Sequence, residues 1–294
     1  MSRQLGMVLA HGGRFFDRLD EFGLDRAEFI IIAPGHRPGL DAFLDSHDIS
    51  FSVHCPLVVP DYYPENPLLA SVLDFDQDRR RLGVNLMLDT MREAACLGAE
   101  YMVVHLQRPE HFGGSNPSDS TVQSAVDIAS SSCEVLHKAS QELKIPVLLE
   151  NLMDNTIFNR PETYVELLER FPGMGFCLDV GHLDVDARAF GFTFDEFVET
   201  LSPYIRAVHL QNSRTRQSDF NGRHWKIPVH PDQKETGGWL DIEKVLRGIL
   251  FRNRGCVINF EARLDEDHDH DYMAAGVRWI QELLPQILDD MRAV

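Results

Sequence analysis

The sequence feature that most constrains the fold is a short apolar run that ends in an acid or a histidine and recurs along the chain. In Gly175–His182, GFCLDVGH, the apolar residues are typical of a buried strand, and Asp179 and His182 follow at its end. A carboxylate in such a place is costly to desolvate unless a metal or a polar ligand compensates it. Five further runs repeat the arrangement: ISFSVHCP, YMVVHLQ, PVLLEN, IRAVHLQN and CVINFEAR. Independently buried polar residues would not keep this phase, so the runs predict one shared site.

Predicted strands alternate with predicted helices through the whole chain. The strands are 5–10, 28–34, 49–56, 101–107, 146–152, 175–180, 205–212 and 256–262, and the helices are 38–47, 78–97, 120–143, a segment from 161, 194–201, 241–250 and 272–291. Strict alternation indicates a parallel sheet. Over 294 residues without a linker it predicts an α/β fold, a single (β/α)8 TIM barrel domain spanning 1–294. A doubly wound sheet is less favoured because no glycine-rich phosphate-binding motif follows a strand.

Charge and cysteine content limit the partners and the compartment. The formal net charge of −18 argues against a broad nucleic-acid surface, so a nucleic-acid partner is not expected. No apolar stretch is long enough to predict a membrane span. The five cysteines form no CxxC pair and are typical of free, buried thiols in a cytoplasmic protein. The oligomeric state stays open, with a homo-oligomer among the alternatives.

All strands of a parallel barrel end at the same face, and the polar residues that follow them are expected to meet there. The ring predicted around this mouth consists of His54, His105, Glu150, Asp179, His182, His209 and Glu261. Carboxylates with imidazole suit a divalent cation, first Mn²⁺ or Zn²⁺ and then Co²⁺ or Mg²⁺. The chain has no HExxH or GxSxG motif, so metal-assisted or carboxylate acid–base chemistry is favoured over a serine triad.

Four motifs, VLLEN, CLDVGH, AVHLQN and INFEA, resemble in order and position those of the xylose isomerase-like barrels. That superfamily includes sugar isomerases and epimerases, inosose dehydratases and endonucleases that cut DNA at abasic sites. The resemblance covers essentially the whole chain. In its epimerase branch it implies a metal held by Glu150, Asp179, His209 and Glu261. It also implies that the two glutamates move protons on opposite faces of the substrate and that His182 binds substrate.

In the endonuclease branch the resemblance implies that His54 and His105 help hold further zinc ions, with His182 and an additional Asp-x-His motif after strand seven. The corresponding loop, DFNGRHWKIPVHPD, offers His224 and His230 but no aspartate two residues before either. A complete three-zinc site is therefore not expected, although a second metal stays open. His54, His105, His224 and His230 are predicted to contact the substrate.

The loop after strand seven predicts an anionic group on the substrate. Residues 206–226 carry five cations against the single acid Asp219; the cations are Arg206, Arg214, Arg216, Arg223 and Lys226. The planar fork of arginine matches a carboxylate or a phosphate. One or two of these cations, with Arg263 just after Glu261, are expected to reach the mouth. Pairing with surface acids elsewhere is the alternative.

The leading prediction is a metal-dependent isomerase or epimerase that acts on a small carbohydrate: a sugar, a sugar acid or a sugar phosphate. Glu150 would remove a proton beside the carbonyl and Glu261 would return one, while the metal would stabilise an enediolate. A keto-sugar dehydratase or lyase shares the enediolate and is not separable from the sequence. A zinc-dependent phosphodiesterase acting on abasic DNA is the second alternative, and a non-catalytic binding barrel is the third.

Overall fold

The structure, a computed structural model, describes residues 2–10, 15–107, 117–154, 156–214, 225–262 and 270–292. Its eight parallel strands close into a barrel in the order of the chain, with the last strand paired to the first. The strands are β1 (Leu5–Ala10), β2 (Arg26–Ile30), β3 (Ser50–His54), β4 (Met102–His105), β5 (Val147–Glu150), β6 (Gly175–Asp179), β7 (Ile205–Leu210) and β8 (Val257–Phe260). The predicted (β/α)8 TIM barrel is confirmed.

Helices connect consecutive strands and cover the outside of the barrel. Those in the described residues are α1 (Phe15–Phe22), α2 (Arg37–Ser46), α3 (Gln77–Leu97), α4 (Asp119–Leu143), α5 (Pro161–Arg170), α6 (Val180–Phe190), α7 (Phe194–Leu201), α8 (Ile242–Arg252) and α9 (His270–Asp290). Each buries an apolar side, as α9 does with Val277, Ile280 and Leu284. None of the helices in these ranges is long and apolar enough to cross a lipid bilayer.

Two helices and one strand boundary differ from the prediction, which lacks α1 and α6 and extends β2 to residue 34. The helix α6 follows β6 without a loop, because Asp179 is its N-cap and accepts a hydrogen bond from the amide of His182. Gly181 therefore lies in the first helical turn. β2 ends at Ile30 because Ile31 has a positive φ of 48° and its amide bonds to the carbonyl of Pro56.

The thiols match the prediction at four positions and contradict it at one. Every cysteine is free, and all are buried except Cys96 on α3. Cys96 follows the fully buried Ala94 by two positions, about 200° around the helix, so its side chain faces solvent. Because its neighbours Ala95 and Leu97 are apolar, composition alone does not show that Cys96 is exposed.

Alternate residues of each strand point into the barrel. At the lower level a small buried group consists of Tyr101, just before β4, and four inward residues of the strands; we call these four, Val103, Leu148, Cys177 and Ala207, the interior floor. It is separate from the larger core between the barrel and the helices. Small and medium apolar side chains from four neighbouring strands thus close the interior beneath the mouth.

The last helix approaches the loop after β7 so closely that only glycine fits. A Cβ atom on Gly276 of α9 would lie 1.8 Å from the carbonyl oxygen of Val229. We expect Gly276→Ala to lower the free energy of unfolding by about 2–3 kcal/mol, because the clash is with backbone and forces the elements apart. Chemical denaturation followed by circular dichroism measures it.

Gly248→Ala in α8 is the matched control, since no atom lies within 4 Å of the added methyl group. It should raise the free energy of unfolding by up to about 1 kcal/mol through helix propensity. Equal stability of the two variants would contradict the close approach.

Candidate metal centre at the barrel mouth

The strand period of two places the candidate ligands in one layer above the interior floor. Each floor residue on β4 to β7 is followed two positions later by a polar group, which therefore points inward as well. These groups are His105, Glu150, Asp179 and His209. In β8 the same period runs from Val257 through Asn259 to Glu261. On β4 to β7 an apolar level is thus followed by a polar one toward the mouth.

The four predicted metal ligands lie together in this layer. One ligand atom from each of Glu150, Asp179, His209 and Glu261 lies within 4.8 Å of every other. Nδ1 of His209 is 3.2 Å from Oε1 of Glu150 and 3.0 Å from Oε2 of Glu261. Glu150 and Asp179 are fully buried, and the side chain of Glu261 is 12% exposed. We call these four residues the ligand cluster.

A second group shares Glu150 and contains His54 and His105. Nε2 of His54 is 2.9 Å, and Nε2 of His105 is 3.4 Å, from Oε2 of Glu150. Their Nδ1 atoms are 3.0 Å from the carbonyl oxygen of Cys55 and 2.8 Å from that of Leu68, respectively. Backbone contacts thus aim both imidazoles at the same carboxylate oxygen.

A network of hydrogen bonds holds Asp179 and His182 in place, and the strand-end pattern alone does not reveal these partners. The amide of Asn151 exchanges two hydrogen bonds with the backbone of Asp179, at 2.8 and 3.0 Å. Gln211 donates to Oδ2 of Asp179 at 2.5 Å. Nδ1 of His182 lies 3.1 Å from the carbonyl oxygen of Asn151, and the ring of Trp225 is 5.8 Å from its imidazole. Burial lowers the pKa of His182 to about 4, so this imidazole is neutral at pH 7.

The three carboxylates differ in their electrostatic environments. Burial alone would raise the pKa of Glu150, but the His209 imidazole and hydrogen bonds from the three neighbouring histidines bring it well below its usual range. Burial also acts to raise the pKa of Glu261, but Lys226 and His209 bring it well below its ordinary value. Burial, reinforced by the charges of Glu261 and Glu150, raises the pKa of Asp179 well above its ordinary value. The two glutamates are therefore ionised at neutral pH.

Lys226 is the described cation of the strand-seven loop that reaches the ligand cluster. Its ammonium contacts Oε1 of Glu261. Its backbone has a positive φ of 54°, unusual for a side chain with a Cβ, and its amide donates to Oε1 of Gln211 at 2.6 Å. Because Gln211 also bonds to Asp179, one amide side chain ties Lys226 to the cluster. The excess of basic residues in the loop was a signal, although it did not single out this lysine.

Glu28 is a further contact that sequence reasoning missed. It lies within β2, is fully buried, and its Oε1 is 2.7 Å from Nε2 of His209. The predicted strand starts at this residue and contains no polar group at its C-terminal end, so the strand-end rule overlooks it. An acid that begins the apolar run EFIII is the signal that could have identified it.

Several predicted contacts lie elsewhere or outside the described residues. His224 and Arg263 are outside them, as are Arg216 and Arg223. His230 stacks on Tyr272 of α9 with ring centroids 3.9 Å apart.

Arg214 also lies apart from the ligand cluster in its described contacts. Its guanidinium covers the ring of Trp239 at 5.1 Å and donates to the carbonyl oxygen of Gly237 at 2.8 Å. The predicted involvement of loop cations at the mouth therefore rests, within the described residues, on Lys226.

The ligand cluster fits a divalent cation by its own chemistry. Oε2 of Glu261 is buried and makes an ion pair with Nδ1 of His209 but forms no hydrogen bond of good geometry, and it faces the other ligand atoms. Three carboxylates and one imidazole supply oxygen and nitrogen donors that Mn²⁺, Zn²⁺, Co²⁺ and Mg²⁺ accept. A buried carboxylate oxygen that lacks a hydrogen bond costs free energy that a bound cation would offset.

The fold is similar to that of several solved structures. The structure is similar to 3-keto-D-glucoside 4-epimerase from E. coli, with a TM-score of 0.68, 14% identity, and coverage of 95% of this chain and 99% of that one. It is similar to endonuclease IV from Thermus thermophilus, with a TM-score of 0.59, 17% identity, and coverage of 95% and 99%. A xylose isomerase-like TIM barrel protein from Mycobacterium smegmatis, in complex with magnesium, gives 0.60, 14%, 94% and 88%. At these identities the likeness shows a shared fold.

Sequence comparison defines the family. No protein of curated function is significantly similar to the chain in sequence. The profile of the xylose isomerase-like TIM barrel matches residues 14–283, nearly the whole barrel. The chain therefore belongs to the xylose isomerase-like TIM barrel family.

Proposed function

We propose that the protein is a metal-dependent isomerase or epimerase of a small sugar, sugar acid or sugar phosphate. The observation that carries the proposal is the arrangement of Glu150 and Glu261. They come from β5 and β8, approach the same nitrogen of His209, and are held by different partners. Of two carboxylates close to one centre, an ionised one can remove a proton from carbon, and the other can return a proton once it has been protonated. The similarity in fold to a keto-sugar epimerase is consistent with this chemistry.

The chain's own residues would divide the work. Glu150, held by His54 and His105, would accept the proton beside the substrate carbonyl at one of its carboxylate oxygens. Glu261 would take up a proton from the Lys226 ammonium that contacts it and deliver that proton to carbon from the other side, and Lys226 would regain its proton from solvent. His182 is neutral and adjacent, so it can hydrogen-bond to a substrate hydroxyl.

The ligand cluster would hold the metal. When bound, a divalent cation would polarise the substrate carbonyl and stabilise the negative charge of an enediolate. The neighbour solved with magnesium is consistent with such an ion in this fold, and the donor set here allows the other three metals as well.

We expect Glu150→Gln and Glu261→Gln each to lower the rate of substrate turnover by about 10²–10⁴, because the amide keeps the shape but cannot accept a proton at neutral pH. The measurement is solvent deuterium incorporation at the α-carbon of a panel of neutral, acidic and phosphorylated ketoses. As a control, Gln123→Glu exchanges an amide for a carboxylate on the exposed face of α4, far from the proposed chemistry, and should leave the rate unchanged. An active wild type that loses nothing in either glutamine variant would exclude the two-base mechanism. A product that is lighter than the substrate by one water molecule would identify a dehydratase or lyase instead.

Metal binding should depend on pH through His209. Burial alone would lower the pKa of this imidazole, but Cys177, Glu28, Glu150 and Glu261 raise it well above its ordinary value. In the metal-free protein at pH 7 both ring nitrogens therefore carry protons, and a metal must displace the one on Nδ1. We expect the affinity for Mn²⁺ to rise at least tenfold per pH unit between pH 6 and 7.5, because His209 releases one proton and Asp179, whose pKa is also raised, adds to the release where it is protonated. Isothermal titration calorimetry in buffers of different ionisation enthalpy counts the protons.

The metal ligands themselves are tested by substitution. Asp179→Ala and His209→Ala should abolish stoichiometric metal binding, whereas His137→Ala on α4 should keep it, because His137 lies on the outer surface. Unchanged metal content in both ligand variants would exclude the cluster as the metal site.

The second candidate function is a zinc-dependent phosphodiesterase acting on abasic DNA. The observation in its favour is the second group of potential ligands, His54 and His105 with the shared Glu150. Phosphoryl transfer commonly uses two metals about 4 Å apart. More than one zinc per chain, together with cleavage of an abasic duplex, would replace the leading proposal. Proton exchange without cleavage would support the isomerase.

A further inference from the structure

A layer of buried polar residues lies beneath the ligand cluster, at a level that most barrels fill with apolar side chains. It consists of Glu28 on β2, Ser52 on β3 and Asn259 on β8, all fully buried. Interior layers of TIM barrels are dominated by branched apolar residues. A buried carboxylate is a poor source of stability, since an apolar residue of similar volume often serves as well or better. The layer therefore calls for an explanation other than packing.

The two oxygens of Glu28 have different partners. Oε2 accepts hydrogen bonds from Oγ of Ser52 at 2.9 Å and from Nδ2 of Asn259 at 3.1 Å. Oε1 is 2.7 Å from Nε2 of His209. Neighbours from two other strands thus fix the carboxylate, and its remaining oxygen is directed at one nitrogen of the metal-ligand histidine. Room for Asn259 is provided by Gly6 on β1, where a Cβ atom would lie 2.4 Å from Oδ1 of that amide.

The contact determines which nitrogen of His209 is free for a metal. An imidazole that ligates through Nδ1 carries its hydrogen on Nε2, and a carboxylate that accepts this hydrogen fixes both the tautomer and the ring orientation. Nδ1 is the atom that faces Glu150 and Glu261. Resting on the metal-dependent function proposed above, we propose that Glu28 is a positioning residue that presents Nδ1 of His209 to the metal.

The test compares Zn²⁺ affinity, measured by calorimetry, in variants of this layer. Glu28→Leu removes the acceptor and should weaken binding by about 10–100-fold, the usual cost of losing the partner of a ligating histidine. Glu28→Gln keeps an amide oxygen in its place and should restore part of the affinity, with a loss of about threefold or more. Nitrogen-15 spectra of histidine in the zinc-loaded protein should show a protonated, hydrogen-bonded Nε2 on His209 in the wild type and its loss in the leucine variant.

Tyr101→Phe is the matched control. The Tyr101 hydroxyl is buried beside the same layer and bonds to Nδ2 of Asn259 at 3.1 Å rather than to Glu28. Its removal should lower thermal stability and change Zn²⁺ affinity by less than about threefold, which is the smallest loss expected for Glu28→Gln. A merely structural role of Glu28 would give the same outcome as this control.

The outcomes separate this inference from the proposed function. Wild-type protein that binds Zn²⁺ tightly, with folded Glu28→Gln and Glu28→Leu proteins binding equally well, overturns the role of Glu28 alone. Wild-type protein that binds no Zn²⁺ overturns both. If Glu28→Leu does not fold, Glu28→Gln and Ser52→Ala decide, because Ser52→Ala releases one of the two bonds that orient the carboxylate. Unchanged affinity and unchanged histidine spectra in both would then overturn the proposal.

Discussion

His209 is the residue through which the inside of the barrel and its mouth interact. Its two nitrogens lie against carboxylates at different levels, Glu28 below and Glu150 with Glu261 above. Burying this much negative charge is unfavourable unless cations and hydrogen-bond donors compensate it. In the metal-free protein an imidazolium and the ammonium of Lys226 provide the compensation. The cluster is therefore assembled from mutually dependent parts, and removing any one leaves another charge buried without a partner.

The strand-end pattern predicted the fold and the meeting of polar residues at the mouth because one physical rule produces both, whereas the choice of four metal ligands among those residues came from the family resemblance. Strands of a parallel barrel end together, so polar residues at the ends of apolar runs share a site whatever their separation along the chain. Glu150 and Glu261 are 111 positions apart in the sequence, yet each lies within 3.2 Å of the same nitrogen. The rule needs only the phase of each run, which the sequence displays.

The residues that escaped prediction depend on information that a single run does not contain. Glu28 acts from the middle of its strand, and only the pairing of strands brings it under His209. Lys226 comes after a loop and reaches Glu261 because Gln211 holds its backbone amide. The helix α6 has a glycine in its first turn, which by itself indicates a bend. For Glu28 and Lys226 a tertiary contact decides the outcome, whereas α6 begins through the local cap of Asp179 on the amide of His182.

The alternation between the interior floor and the layer above it has a consequence for how such a protein can change. A substitution in the upper layer alters the chemistry of the mouth while Val103, Leu148, Cys177 and Ala207 continue to close the barrel below. New activities can therefore be explored by exchange of side chains without loss of the fold. Insertion of one residue into a strand is different, because it would turn every charge beyond that point outward into the apolar helices. Because side chains alternate with a period of two, the residues of the site can be exchanged one at a time, but the number of residues in each strand can hardly change.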